Sequence, residues 1–458
     1  MNNSFFWEFD TYLGFNDIAV ITEENEKKTY FQLNEDVECA INKLNFNRSL
    51  IFLQASNTYT SVVNYLACLR RKHPFLLLDA GVNEKVTSAL IERFKPNYLL
   101  CNDGIYKNSD FSHVFKDDLA MLMSTSGTTG DPKLVRLSYT NLHCNSESIV
   151  NYLNIIKSDT AITTLPMSYS YGLSIINSHL GAGATVALNS HGIISREFWK
   201  TIADNRVTTF SGVPFTFQTL KKLKYKRFDT SSIRYITQAG GKLDSDVVRY
   251  FVNECGQLGQ EFFVMYGQTE ASPRMSYVPA DRLIEKIESI GVSIPGGRFL
   301  LKDKMGNTIR TAHEEGEIYY EGKNVMMGYA ESVFDFGKGD IQGGILATGD
   351  VGYFDEDNFY YITGRLRRFI KLFGLRISLD AIDNWLNHQG VDGVSIGSDD
   401  LLQICFEGVH FDKQTEIVVL LSKEFKLNLN YIKAVSIDHI PRKNGGKVDF
   451  KALSLLVV

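Results

Sequence analysis

Along the first quarter of the chain, short apolar runs alternate with stretches whose apolar residues recur at helical spacing. Ile51-Phe52-Leu53, Phe75-Leu76-Leu77-Leu78 and Tyr98-Leu99-Leu100 predict buried strands, with helices over Ser61 to Leu69 and Lys85 to Phe94 between them. Such alternation predicts a parallel sheet covered on both faces. Lys28 to Leu33 reads as a strand running into a helix, and Leu119 to Met123 as a further buried strand. Ser138 to Tyr152 has helical spacing, with Ser138 or Thr140 as candidate N-cap. Ala161 to Pro166 predicts a strand that the proline ends, and Leu180 to Leu188 a turn into another. Strands follow at Thr208 to Gly212, Ile233 to Thr237 and Phe262 to Met265, with a helix and its exit over Phe215 to Phe228. Between Ser289 and Tyr329 the texture becomes glycine-rich and alternating. Near the end, Leu379 to Leu386 predicts a helix and Ile417 to Leu421 a strand.

The strand at Leu119 to Met123 leads into Ser124 to Lys133, which read STSGTTGDPK. Small residues let main-chain N–H groups approach phosphate oxygens, and Ser124, Thr125, Ser126, Thr128 and Thr129 add hydroxyl donors. Lys133 adds a positive charge suited to a multiply charged phosphate. Gly127 and Gly130 lie too close together for a Walker A loop, and Asp131-Pro132 precedes the lysine. An ordinary Gly/Ser/Thr turn is the alternative for these ten residues alone. Tyr266-Gly267-Gln268-Thr269-Glu270 offers a flat aromatic, a glycine for close approach, a hydroxyl and a carboxylate. One carboxylate together with substrate phosphates suffices for Mg²⁺.

A length of 458 residues exceeds what one hydrophobic core normally supports, so at least two domains are expected. Hydrophobic residues at 44% and charged residues at 22% suit a globular protein without extended disorder. The net charge of −5 gives no basic footprint for nucleic acid. Cys39, Cys68, Cys101, Cys144, Cys255 and Cys405 are scattered, which indicates neither a zinc site nor a disulfide framework. The N-terminal stretch lacks a basic and then apolar leader pattern, and no apolar run approaches the roughly 20 residues of a membrane span. A cytoplasmic location is therefore expected.

Taken together, STSGTTGDPK and YGQTE resemble the signatures of the adenylate-forming superfamily, which includes acyl-CoA synthetases, peptide-synthetase adenylation domains and luciferases. Matching motifs run from about Lys28 to Lys447. The resemblance implies an α/β fold. By that resemblance a large N-terminal domain of stacked mixed and parallel sheets with a small β-barrel-like subdomain would occupy residues 1–363, residues 364–368 would form a hinge, and residues 369–458 would form a small mobile C-terminal α/β domain.

It also implies roles for individual residues. Thr125, Ser126, Gly127, Thr128, Thr129, Gly130 and Lys133 would bind the phosphates of ATP. Gly240, Gly241 and Lys242 would present main chain to the adenine, beside Tyr266 and Gly267, while Asp350 would take the ribose hydroxyls and Arg365 would contact the nucleotide. Glu270 would hold Mg²⁺ and act with Thr269 and Lys447 in catalysis, Lys447 holding the substrate carboxylate against the α-phosphate. Tyr169, Ser170 and Gly267 would line the acid pocket, Arg367 would be the pivot, and Gly374 would face the incoming thiol. Family members that take α-amino acids usually place an aspartate where this chain has Ser170. A buried ammonium without a partner is costly, which argues against a standard α-amino acid.

The implied activity is adenylation of a carboxylic acid with release of pyrophosphate, then transfer to the pantetheine thiol of CoA. Loading of a stand-alone carrier protein is the alternative acceptor, and a non-catalytic nucleotide or acyl-adenylate sensor is the alternative class. Lys221, Lys222, Lys224, Lys226 and Arg227 read as a solvated face, with attraction of an acidic partner such as a carrier protein or the phosphates of CoA as the minority reading.

Overall fold

The computed structural model describes residues 5–8, 16–82, 84–124, 133–366, 368–372, 375–398, 401–425, 427–442 and 448–457. Two compact units divide the chain, one drawn from Met1–Phe299 and Tyr320–Leu346, the other from Leu300–Tyr319 and Ala347–Val458.

The larger unit contains a nine-stranded and a seven-stranded sheet, each parallel at its centre and antiparallel at its edges. In the nine-stranded sheet the parallel strands Glu261–Gly267, Tyr235–Gln238, Thr209–Gly212 and Thr160–Ile162 lie side by side. In the seven-stranded sheet, Ile51–Ala55 lies between Phe75–Asp79 and Tyr98–Cys101 in parallel register, as the apolar runs predict. These strands bury Phe52, Leu76 and Leu100 because helices cover them, with Thr58 capping Tyr59–Arg70 through the Ser61 N–H. Ser138 caps Tyr139–Tyr152 in a reciprocal box with Asn141, so of the two candidate caps the structure selects Ser138. Lys27–Thr29 is indeed a strand running into the helix Tyr30–Lys43, and Thr29 and Gln32 make the same kind of box.

The second unit holds most of a five-stranded sheet, a two-stranded hairpin, and a three-stranded sheet whose strands are Gly393–Ser398, Leu401–Glu407 and Ile432–Ile437. Helix Leu379–His388 packs Ile382 and Leu386 into that unit's core. The strand expected at Ile417 to Leu421 is instead part of helix Phe411–Glu424. A short apolar run does not distinguish a strand from a buried helix. Here Gln414, Ile417, Val418 and Leu421 are buried while Leu420 is exposed, a helical stripe set by packing.

Candidate active site

In the larger unit, the carboxyl ends of three of the four adjacent parallel strands lead to residues singled out above. Open α/β sheets bind ligands at such ends. Thr160–Ile162 leads through Leu165-Pro166 to Tyr169, which caps helix Ser170–Gly181. Gly172 allows this tight entry, since a Cβ there would lie 2.2 Å from the Pro166 carbonyl oxygen. Tyr235–Gln238 leads to Gly240, held at φ +90, where a Cβ would lie 2.9 Å from the Tyr169 hydroxyl. Tyr169 and the glycine pair, 71 residues apart in sequence, therefore meet. Burial pushes the Tyr169 phenol up, so it stays neutral. The Gln238 amide donates to the Gly241 carbonyl at 2.9 Å and fixes this turn, and Lys242 beyond it is exposed.

Glu261–Gly267 delivers the aromatic, hydroxyl and carboxylate segment to the same edge. Gly267 is required sterically, because a Cβ would lie 2.0 Å from the Pro273 carbonyl oxygen. The Ser170 and Thr269 hydroxyls are 3.0 Å apart, which joins the expected acid pocket to the expected catalytic segment. The Gln268 amide donates to the Tyr266 hydroxyl at 3.1 Å.

Glu270 accepts a hydrogen bond from the Tyr329 hydroxyl at 2.8 Å through one carboxylate oxygen. Among the described residues nothing pairs with the other oxygen, so a half-buried, oriented carboxylate keeps an open ligand position. Such a donor fits Mg²⁺, a hard ion that takes one or two carboxylates plus substrate phosphates. No cluster of three or more His, Cys, Asp or Glu side chains suited to a metal occurs among the described residues. Lys133 pairs with Glu331 at 2.5 Å and lies 5.9 Å from the centre of the Tyr329 ring. Both charged groups are about half exposed, so this pair is weak. In the sequence Tyr329 stands only at the end of the glycine-rich, alternating stretch. Its signal was the strand Gly328–Ala330, which pairs antiparallel with Leu134–Ser138 just after Lys133.

In the second unit, Asp350 is almost fully buried and accepts from the Arg365 Nε at 2.7 Å across neighbouring strands. The two residues that the resemblance assigns to ribose and nucleotide are thus brought together. Thr125, Ser126, Gly127, Thr128, Thr129, Gly130, Arg367, Gly374 and Lys447 lie outside the described residues.

The basic run occupies helix Pro214–Leu223 and the turn after it. Lys221 pairs with Asp246, and Lys226 lies 3.9 Å from Glu254. No helix among the described residues is long and apolar enough to cross a membrane.

Residues 102–330 match the family described as AMP-binding enzyme. The chain is 30% identical over 291 residues to an oxalate–CoA ligase of Arabidopsis thaliana, covering 62% of this chain and 55% of that protein. It is 29% identical over 293 residues to a 2-succinylbenzoate–CoA ligase of Bacillus subtilis, covering 64% and 58%. The chain thus spans little more than half the length of the curated relatives it matches. Among solved structures, o-succinylbenzoate CoA synthetase of Bacillus subtilis with its acyl-adenylate superposes with a TM-score of 0.81 at 23% identity, over 98% of each chain. ATP-bound MatB of Rhodopseudomonas palustris gives 0.80 at 21% identity, over 98% of this chain and 97% of that one. The fold is therefore that of the adenylate-forming enzymes.

Proposed function

Because the chain belongs to the AMP-binding enzyme family, we propose that it ligates a carboxylic acid to a thiol in two AMP-forming steps. In the first, a carboxylate oxygen attacks the α-phosphorus of ATP, and pyrophosphate leaves to give acyl-AMP. In the second, a thiol sulfur attacks the acyl carbon, its proton is released, and AMP leaves. CoA is the acceptor favoured here, because relatives named as CoA ligases are prominent among the matches.

The observation that carries the reading is the meeting of Ser170 and Thr269 at 3.0 Å, with the oriented Glu270 the next residue after Thr269. Attack of an anion on a phosphate is governed by positioning and charge neutralisation. Lys133 supplies a positive charge held only by a weak surface pair, and Tyr329 holds the Glu270 carboxylate in one orientation. Mg²⁺, when bound, would neutralise phosphate charge; Glu270 is the residue that would hold it. Tyr169 and Gly240 wall off the approach to the acid, and Asp350 and Arg365 take the ribose and nucleotide. By the resemblance of their motifs, Lys447 holds the substrate carboxylate, Arg367 is the pivot and Gly374 faces the thiol.

Acid-dependent exchange of labelled pyrophosphate into ATP, with no thiol present, tests the first step. Exchange with at least one acid is expected. Its absence across aliphatic, aromatic, hydroxy and amino acids, with ATP binding shown separately, would sink the reading. Lys447→Ala is expected to abolish exchange and to spare thiol transfer from supplied acyl-AMP, because the two steps use different arrangements of the hinge.

A further inference from the structure

Arg274 lies in the interior of the larger unit with 3% of its surface exposed, and among the described residues no carboxylate pairs with it. Its Nε donates to the Ser174 hydroxyl at 3.1 Å, and one terminal nitrogen donates to the Tyr152 hydroxyl at 3.0 Å and approaches the Met265 sulfur at 3.4 Å. The guanidinium sits 5.0 Å from the centre of the Tyr171 ring. No acceptor among the described residues meets the other terminal nitrogen, Nη2. Burial works against the charge, but the Tyr152 and Tyr171 phenols outweigh it and hold the group cationic.

Burying a charge without a counterion costs several kcal/mol, and a well-packed apolar side chain usually serves stability better. What surrounds this cation is neutral and adaptable. The Ser174 hydroxyl donates to the Tyr171 carbonyl at 2.7 Å and the Tyr152 hydroxyl to the Met265 sulfur at 3.0 Å, and each can rotate to donate to an incoming anion instead.

Two independent features place this cation beside the expected acid pocket. Ser174 follows Ser170 by one helical turn on Ser170–Gly181, so the two share a face with hydroxyls roughly 5–6 Å apart along it. Arg274 is also the register partner of Gly267 across two antiparallel strands. A substrate whose reacting carboxylate lies at Ser170 and Thr269 therefore has Arg274 about one helical turn away.

We propose that Arg274 is the specificity-determining residue of the acid pocket and that the acid carries a second carboxylate. The distal carboxylate forms a charge-assisted, two-point contact with the guanidinium, while the near one is activated beside Thr269. Arginine suits this role because its planar fork matches a carboxylate. The inference rests on the adenylation reading above and adds the substrate class to it.

The test uses the full chain and pyrophosphate exchange with acids paired by carbon number, such as malonate with propionate, succinate with butyrate and glutarate with pentanoate. At least one diacid is expected to exceed its monoacid by about 100-fold or more in kcat/KM, since a site built around a buried polar group strongly rejects an analogue that leaves it unpaired. Arg274→Met is expected to erase that preference mainly through diacid KM, leaving the monoacid rate within a few fold. Arg274→Lys keeps the charge without the fork, and is expected to retain a reduced preference with raised KM. It also serves where Arg274→Met does not fold. Equal turnover of the paired acids, or parallel loss of both in the variants, overturns this inference and leaves adenylation standing. No exchange with any acid removes the adenylation reading, and this inference falls with it.

Discussion

Two arginines are buried in the larger unit without a carboxylate bonded to them among the described residues, and they are held in opposite ways. Arg136 is fully buried, and its terminal nitrogens donate to the main-chain carbonyls of Lys338, Gly339 and Met327, at distances from 2.5 to 3.3 Å. Those carbonyls can only accept, so the guanidinium locks three chain segments together. Burial pushes its pKa down, with Asp335 and Asp340 offsetting part of the effect. Arg274 instead meets hydroxyls, a ring face and a sulfur, all of which have other things to do when it leaves. One cation is a strut and the other is a receptor. What separates them is the chemistry of their acceptors, since their burial is nearly the same.

The sharpest way to break this comparison is to remove each charge in turn. Arg136→Met leaves the partly buried carbonyls of Lys338 and Gly339 without this donor, while the Met327 carbonyl keeps the Ile341 N–H, and each orphan costs about 1–3 kcal/mol, so a loss of about 2–4 kcal/mol is expected. Arg274→Met should lose less than half of that, because Ser174 and Tyr152 can re-pair. Urea midpoints at unchanged m-value measure both. Equal losses would show that Arg274 is a second strut.

The next effect is on acid stability, and it belongs to the Arg274 side alone. His179, on the helix that carries Ser170 and Ser174, is buried, with Nδ1 bonded to the Ile175 carbonyl at 2.8 Å and Nε2 3.4 Å from the Tyr235 hydroxyl. Burial chiefly, with Arg274 and Arg234 adding to it, pushes its pKa down to about 4, while the Ile175 carbonyl and Asp159 pull it up. The folded state thus stays neutral where the unfolded histidine, at about 6.5, takes a proton. Stability is unaffected above that value and falls as pH drops toward 4, by up to about 3 kcal/mol from this group. His179→Gln should flatten this limb of a stability–pH profile, and Arg274→Met should make it shallower. If neither changes the limb, the histidine is not held neutral by these surroundings.

This contrast marks where the sequence was legible. Ser170, Thr269 and Glu270 stood in recognisable motifs, and the structure brings the Ser170 and Thr269 hydroxyls together beside Glu270. Arg274 stood four residues past Glu270 in an unremarkable strand. What makes it unusual is the absence of an acid around it, and that depends on contacts with residues 100 and 122 positions away. Tyr329 was hidden for a similar reason, since only strand pairing beside Lys133 turns its hydroxyl toward Glu270. The helix at Phe411–Glu424 shows the complementary failure, in which a run of five apolar residues carries no period of its own. The helices with strong caps, by contrast, were placed to within two or three residues, because the signal is local.

A smaller perturbation asks whether orientation without charge matters at the phosphate side as it does around Arg274. Tyr329→Phe deletes one partly buried hydrogen bond, worth about 1 kcal/mol in stability. A carboxylate released from that bond samples more orientations, so exchange should fall several fold at limiting Mg²⁺ and recover as Mg²⁺ is raised. A loss of stability with no change in Mg²⁺ dependence would make Tyr329 another strut, structural in the way of Arg136.

At the surface the distinction between strut and receptor should nearly vanish. Lys221 and Lys226 lie against Asp246 and Glu254 of helix Ser245–Gln257, and their side chains remain between about one third and two thirds exposed. Water screens such pairs, so reversing both lysines to glutamate should cost less than about 1 kcal/mol. The charges are already answered from within the same unit, which leaves little field to attract an acidic acceptor. The KM for CoA should therefore stay within about twofold in Lys221→Glu/Lys226→Glu at physiological salt. A rise of tenfold that weakened with added salt would mean that these cations do receive a partner, and that exposure alone does not disqualify a lysine from that role.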